Sequence, residues 1–204
     1  MINLIIPQLV YHFDIEYFEM AGDDIKIIEN KTTIYKHNRN KTWNNTTYCH
    51  QWIDSTKSIM VKWTFKIIEQ IETICFGIVS NNKHPNKDCS DDNHIPNYIH
   101  CSAGTLFANG RIVDNLDDVM ADVLDDDVDV IPGILKYNQG NIIKYKLDLC
   151  KGIFYGKKND ENYVELLNDI KKGDNIRYKM AISIYSVKTR VSIIDFTINQ
   201  IENK

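Results

Sequence analysis

The last third of the chain, residues 140–196, alternates apolar and polar side chains in runs that turn-forming residues interrupt. In the first run the apolar positions are Ile143, Tyr145, Leu147 and Leu149. Because successive side chains of a β-strand point to opposite faces, this alternation predicts strands with one buried face. Breaks such as that at residues 151–152 separate the runs, so the region is typical of antiparallel β-structure.

Strand signals also recur at short spacing earlier in the chain. They predict strands at residues 25–29, 32–36, 59–68, 74–79, 98–101 and 106–108. In the longest of these, Val61, Trp63, Phe65 and Ile67 share one face, and we expect Trp63 and also Trp52 to lie in the core. Many short strands with little helix favour a β-sandwich or a barrel.

Two segments break this rhythm. Residues 81–97 are polar and rich in Asp, Asn, Lys and His, which predicts a long exposed loop. Residues 114–129 carry eight aspartates, and apolar positions at helical spacing in residues 113–123 predict a short amphipathic helix. The order of ligands in an EF-hand is absent, so the aspartates favour a solvated acidic face or a patch that meets a basic partner.

Charge and hydropathy exclude several functional classes. The 204 residues carry a net charge of −4 with no basic stripe, which argues against a nucleic-acid partner because that affinity requires clustered cations. No apolar run is long enough to cross a bilayer, and the N-terminus lacks the pattern of a signal peptide. We therefore expect one intracellular, cytoplasmic domain with no membrane partner.

The cysteines also indicate an intracellular protein. The five cysteines are Cys49, Cys75, Cys89, Cys101 and Cys150. They are odd in number and scattered along the chain, which is typical of reduced thiols in an intracellular protein. We therefore expect no disulfide framework.

No catalytic motif is present. The sequence has no G-x-S-x-G elbow, no Gly-rich phosphate loop and no H-E-x-x-H. His100 and Cys101 are adjacent, but neighbours on a strand point to opposite faces, so they do not form a nucleophile–base pair. His84, Cys89 and His94 lie close in sequence to that pair, yet no C-x-x-C accompanies them. We interpret them as ordinary loop residues and expect no metal, no cofactor and no enzymatic activity.

Three blocks of sequence share the pattern of a known family. The first is I-M-V-K-W-T-F-K-I at residues 59–67, followed by C-F-G-I at 75–78. The second runs from G-N-I-I at residues 140–143 through L-D-L at 147–149 and G-I-F-Y at 152–155. The third comprises I-K-K-G at residues 170–173 and the two apolar runs within 180–196. Together the blocks resemble the SPRY domain, a lectin-like β-sandwich that serves as a protein-recognition module. The sequence departs from the family pattern at positions interpreted as turn or surface sites, namely Asn141, Lys144, Asp160 and Lys179.

The resemblance implies an all-β fold, an antiparallel two-sheet sandwich. We expect it to span residues 25–198, with 1–24 as an N-terminal extension or leading strand and 199–204 as a C-terminal tail. A sandwich leaves the loops at its ends free to vary, so recognition falls to loop side chains.

The resemblance also implies where a ligand binds. In SPRY domains the ligand surface includes the turn between the last two long strands, which here carries Tyr185, Ser186 and Lys188. We expect the loop 81–94 to lie at the same end of the sandwich. The weaker candidates are His84, Asp91 and His94 of that loop, and Trp43 as an exposed aromatic anchor.

The sequence thus predicts a non-catalytic protein–protein interaction module that docks a peptide or a protein loop on its end loops. It would act as a stand-alone adaptor or as a subunit of an assembly. Two alternatives remain open: a carbohydrate-binding, lectin-like protein, and a structural component of a larger particle. The oligomeric state and the identity of the partner do not follow from the sequence.

Overall fold

The structure is a computed structural model. It describes residues 18–29, 31–38, 46–80, 97–109, 111–112 and 135–201. The predicted helix at 113–123, the aspartate-rich stretch 114–129 and most of the predicted loop 81–97 lie outside these residues.

The described residues form fifteen strands and no helix. The strands are β1 Phe18–Ala21, β2 Ile25–Ile28, β3 Thr33–Lys36, β4 Thr46–Cys49, β5 Ile53–Asp54, β6 Ile59–Glu69, β7 Ile74–Ser80, β8 Asn97–Cys101, β9 Leu106–Ala108, β10 Arg111–Ile112, β11 Ile142–Asp148, β12 Ile153–Lys158, β13 Val164–Leu167, β14 Arg177–Ile184 and β15 Arg190–Gln200. The part of the chain that the structure describes therefore contains no helix of the length and apolar character needed to cross a membrane.

The strands form two antiparallel sheets. Sheet I has the order β1-β4-β14-β7-β8-β9-β10, with β5 also paired to β14, and sheet II has the order β13-β12-β11-β6-β15-β3-β2. The predicted all-β, two-sheet sandwich is confirmed. The strands predicted around residues 25–36, 59–79, 98–108 and 142–196 are all present, to within a few residues at their ends.

The main core lies between the sheets. Strand β6 contributes Val61, Trp63, Phe65 and Ile67, each at most 1% exposed, as the alternation predicts. Phe65 packs against Phe76 of sheet I with ring centroids 4.9 Å apart. Since burial of one such side chain stabilises a fold by about 1.5–3 kcal/mol, this interface supplies most of the driving force for folding.

Sheet I is also buried on its outer face. Tyr48, Val79, Ile99 and Ala181 form a second apolar cluster there. Lys179 of β14 belongs to this face and is buried, with its ammonium 4.6 Å from the centre of the Trp52 ring. The interpretation of residue 179 as a surface position is therefore wrong.

Trp52 is only half-buried, so its expected place in the core is wrong as well. Its ring is instead one of the partners of the Lys179 ammonium described above. Trp63, by contrast, lies fully in the core as expected.

The expectation of reduced thiols is wrong for two cysteines. Cys75 of β7 and Cys101 of β8 are direct cross-strand partners, and a disulfide joins them. Their Cα atoms are 4.0 Å apart, and because the two residues are directly opposite each other, their side chains lie on one face of the sheet. Cys49, which is buried, and Cys150, which is exposed, do not belong to this disulfide. The argument from cysteine usage for an intracellular location therefore no longer holds.

The register of β7 and β14 defines two ends of the sandwich. Ile184 pairs with Ile74 at one end, and Tyr178 pairs with Ser80 at the other. We call the first the turn end, because the β14–β15 turn lies there, and the second the pocket end. The segment that begins after Ser80 starts at the pocket end, about 20 Å from the turn. Loop 81–94 lies outside the described residues, so its place beside the turn stays a prediction; the described residues that flank it, Ser80 and Asn97, lie at the pocket end.

Candidate functional site

The β14–β15 turn presents two of its three predicted contact residues to solvent. Tyr185 is half-buried and Lys188 is exposed, with its backbone in the left-handed region at φ 63°. Ser186 is only 1% exposed, and its hydroxyl donates a hydrogen bond to the Glu72 carboxylate at 2.5 Å. The Ser186 side chain thus ties the turn to the β6–β7 connection and faces away from any ligand.

A buried lysine supports this turn from beneath. The Lys36 ammonium donates hydrogen bonds to the carbonyl oxygens of Ile184, at 3.1 Å, and of Tyr185, at 2.7 Å. Burial lowers the pKa of Lys36, and the charge of Asp24 opposes that shift. The amide of Lys188 also donates to the Lys36 carbonyl at 2.9 Å. The turn is therefore fixed to β3 by main-chain and side-chain hydrogen bonds.

The remaining predicted contact residues, Trp43, His84, Asp91 and His94, lie outside the described residues. The chain re-enters the structure after Trp43 at Thr46, which pairs with Ser183 near the turn end. Ser80, the last described residue before the three loop candidates, lies at the pocket end. The sequence-based prediction grouped these positions on one surface. The described strands that flank them end at two different ends of the sandwich.

A pocket of about 450 Å³ opens at the pocket end, where β9 of sheet I and β13 of sheet II approach each other. Its lining residues are Tyr98, Ala108, Asn109, Glu165, Leu166, Leu167, Asn168 and Asp169. They come from the start of β8, the end of β9 with the residue after it, and β13 with the two residues that follow it. This pocket is large enough to enclose one long side chain of a partner.

Tyr98 organises the wall of the pocket. Its hydroxyl donates to the carbonyl oxygen of Asp169 at 3.2 Å and accepts a hydrogen bond from the amide of Lys171 at 2.8 Å. The hydroxyl of Tyr178 donates to the Lys171 carbonyl at 2.7 Å. Burial raises the pKa of Tyr98, so its hydroxyl stays protonated and keeps its donor role. These bonds hold the loop after β13 against sheet I.

The polar groups of the pocket are mainly acceptors. The Oδ1 atom of Asn109 is buried and has no hydrogen-bond partner. The lining also includes two exposed acidic residues, Glu165 and Asp169, and the Asn168 amide donates to one oxygen of Glu165 at 3.2 Å. A buried acceptor without a partner costs about 1–3 kcal/mol, which a donor from a ligand would recover. The arrangement therefore suits a cationic group with several N–H donors.

No local motif in the sequence marks this pocket. Asn109 and the stretch 165–169 are more than fifty residues apart in sequence, and only the pairing of the strands brings them together. The turn-forming pair Asn168-Asp169 is a local signal, but it indicates a loop and nothing about chemistry.

The sandwich interior holds one polar cluster. Nε2 of His100 donates to the carbonyl oxygen of Leu135 at 2.7 Å, which leaves Nδ1 to accept from the Tyr145 hydroxyl at 3.0 Å. Burial lowers the pKa of His100 to about 4. Cys101 lies on the opposite face in its disulfide, so the predicted separation of His100 and Cys101 is confirmed. Among the described residues, no three His, Cys, Asp or Glu side chains cluster in a way that would hold a metal ion.

The fold is that of SPRY and related domains. The sequence matches no protein-family model and no curated protein sequence. The structure is similar to the SPRY domain of human HERC1, with a TM-score of 0.59 and 18% identity over 90% of this chain and 97% of that one. It is also similar to the PSpry domain of TRIM65, with a TM-score of 0.58 and 9% identity over 88% of this chain and 91% of that one. A third similar structure is the NEUZ (NHR) domain of Neuralized from Drosophila melanogaster, with a TM-score of 0.55 and 16% identity over 88% of this chain and 90% of that one. At these identities the likeness establishes the fold alone, which is SPRY-like.

Proposed function

We propose that this chain is a non-catalytic protein-interaction module that docks a peptide or a protein loop at the pocket end of the sandwich. The observation that carries the proposal is the acceptor-lined pocket, where the unpartnered Oδ1 of Asn109 lies together with Glu165 and Asp169. The SPRY-like fold supports an interaction role by analogy. As a module without catalysis, the chain would act as an adaptor or as a subunit of an assembly.

The pocket defines the chemistry of the partner. Two carboxylates and an unfilled amide oxygen favour the guanidinium of an arginine, which presents five donors in a planar fork. Leu166 and Leu167 supply apolar surface against which the methylene stem of that side chain would pack. We therefore propose that the partner inserts an arginine, or less favourably a lysine, between β9 and β13.

The β14–β15 turn is a second proposed contact surface, through Tyr185 and Lys188. It lies at the other end of the sandwich, about 20 Å from the pocket end. A side chain inserted in the pocket and its immediate neighbours in a peptide would not reach the turn. Variants at the two ends therefore separate the two proposals.

The test is selection from a displayed library of random peptides, followed by affinity measurement on the peptides recovered. Selection with the wild-type domain is expected to enrich peptides that contain arginine. The double variant Glu165→Gln, Asp169→Asn is expected to lose at least tenfold in affinity for them, because two charge-assisted contacts are removed. The matched control is Asp160→Asn, Glu161→Gln on the exposed β12–β13 turn, which removes the same two charges at the other end.

Each outcome of this experiment bears on the proposal. If the control variant loses as much affinity as the pocket variant, only net charge matters and the pocket is not the site. If Tyr185→Ala, Lys188→Glu abolishes binding and the pocket variant does not, docking occurs at the turn end. If no peptide is enriched over an unrelated β-sandwich used as bait, the proposed interaction role is overturned.

A further inference from the structure

The outer face of sheet II carries a patch of lysines. Its members are Lys62 and Lys66 of β6, Lys144 and Lys146 of β11, and Lys157 of β12. All five alternate with buried core residues along their strands, so their side chains lie on the same, outer face of the sheet. We call this set the lysine face.

The strand register brings these lysines directly opposite one another. Lys146 pairs with Lys62 across β11 and β6, and Lys144 pairs with Lys157 across β11 and β12. Like charges in directly opposite positions of an antiparallel pair destabilise a sheet. The pKa of Lys146 is lowered, chiefly by burial and further by the charges of Lys151 and Lys62, while Asp148 opposes the shift. The isolated domain thus holds this face in an electrostatically unfavourable state.

The described carboxylates on this face are fewer than its lysines. In the part of the chain that the structure describes, none of the five lysines forms an ion pair. Three carboxylates share the face: Asp148, which is only 4% exposed and accepts a hydrogen bond from the Lys151 amide, Asp195 opposite Thr64, and Glu165 opposite Tyr155. The face therefore carries a local excess of positive charge in a chain whose net charge is −4.

Two tyrosines hold part of the face in position. The Lys146 ammonium lies 3.8 Å from the centre of the Tyr155 ring and 4.8 Å from that of Tyr163. The Lys157 ammonium lies 5.1 Å from the centre of the Tyr163 ring. These cation–π contacts fix two ammonium groups side by side, which lowers the entropic cost of binding an anion.

We propose that the lysine face binds an acidic peptide segment in extended conformation, with acidic residues at alternate positions. Lysines two residues apart on one strand, such as Lys144 and Lys146, are about 6.6–6.8 Å apart, which is also the spacing of alternate side chains in an extended peptide. This surface adjoins the pocket at Glu165, which lies opposite Tyr155, but the inference rests on the lysines and does not depend on the proposed function.

The same observations disfavour a single-stranded nucleic acid. Such ligands are bound by stacking of bases on exposed aromatic rings. Here the ammonium groups of Lys146 and Lys157 already cover faces of the Tyr155 and Tyr163 rings. The net charge of −4 would also repel a polymer of phosphates over the rest of the surface.

The experiment measures fluorescence anisotropy of a labelled ten-residue peptide of alternating Glu and Ser, at low ionic strength. Its comparators are a peptide of the same composition with all Glu residues in one block, an oligothymidylate and anionic lipid vesicles. The test variant is Lys62→Gln, Lys146→Gln. The matched control is Lys57→Gln, Lys171→Gln, which removes two exposed lysines at the pocket end.

We expect the wild-type domain to bind the alternating peptide several-fold more tightly than the block peptide, because alternation places every carboxylate on one side of the strand. The test variant is expected to lose about tenfold in affinity, and the control less than twofold. An equal loss in the control, or no preference for alternation, would overturn the proposal. So would tighter binding of the oligothymidylate or of vesicles, or no binding of the peptide at all.

Discussion

The buried histidine of the core makes the stability of the domain depend on pH. A single substitution of this histidine can measure its contribution. Burial lowers the pKa of His100 from 6.5 to about 4, so between these values the unfolded chain binds a proton that the folded chain excludes. Stability conferred by neutral His100 is therefore fully present above pH 6.5 and is lost as the pH falls toward 4. At 1.36 kcal/mol for each pKa unit, the loss is about 3 kcal/mol.

The variant His100→Gln retains a donor for the Leu135 carbonyl but has no group that titrates. At pH 7 it should be less stable than the wild type by about 1–3 kcal/mol, because a Gln amide that donates to Leu135 does not place its oxygen where Nδ1 of His100 accepts from the Tyr145 hydroxyl. As the pH falls to 4 this difference should shrink by about 3 kcal/mol, so the two stability curves converge or cross.

Urea unfolding followed by tryptophan fluorescence, with buried Trp63 as reporter, measures both curves. The control is His37→Gln, which removes an exposed histidine and should leave the pH dependence of the wild type unchanged. Parallel curves for His100→Gln and the wild type between pH 7 and 4 would show that burial of His100 does not set this dependence.

Two further changes test the packing of sheet I. Gly77→Ala should destabilise the domain by about 1–3 kcal/mol or prevent folding, because a Cβ there would overlap the carbonyl oxygen of Tyr98, a backbone atom. The control is Gly173→Ala, where the atoms nearest to an added Cβ lie at 3.4 Å or more. It should cost less than half as much free energy of unfolding in the same urea titration. Cys75→Ser should lower the free energy of unfolding by about 3 kcal/mol, since it opens a loop of 26 residues. Addition of a reductant should reproduce that loss of stability in the wild type. The control Cys150→Ser, at an exposed thiol, should cause no loss. A wild type whose stability is unaffected by reductant would contradict the disulfide.

The strands of sheet II were predictable because their inner face is buried and their outer face is exposed to solvent. In β6 and β11 this produces strict alternation, and Trp63 and Tyr145 fall on the buried side as the pattern requires. Sheet I is different, because β7 and β14 are buried on both faces. In β14 the alternation assigns Met180 and Ile182 to the inner side, but it does not reveal that the outer side is covered as well. The buried position of Lys179 was missed for this reason.

The candidate site was harder to predict than the fold. The turn at Tyr185 follows from the strand pattern, yet burial of Ser186 depends on its bond to Glu72, more than a hundred residues earlier. The pocket depends on the approach of β9 to β13, which belong to different sheets. The Cys75–Cys101 pairing likewise depends on the register of β7 with β8, and a count of cysteines does not reveal it.

The most direct test of the central proposal is a nuclear magnetic resonance titration of the labelled domain with N-acetyl-arginine methylamide. The account predicts saturable shifts of the Asn109 side-chain amide and of the backbone amides of residues 165–169, and much smaller shifts with the neutral citrulline analogue, which lacks the guanidinium charge. Equal shifts with both compounds, or shifts confined to residues 185–189, would contradict it.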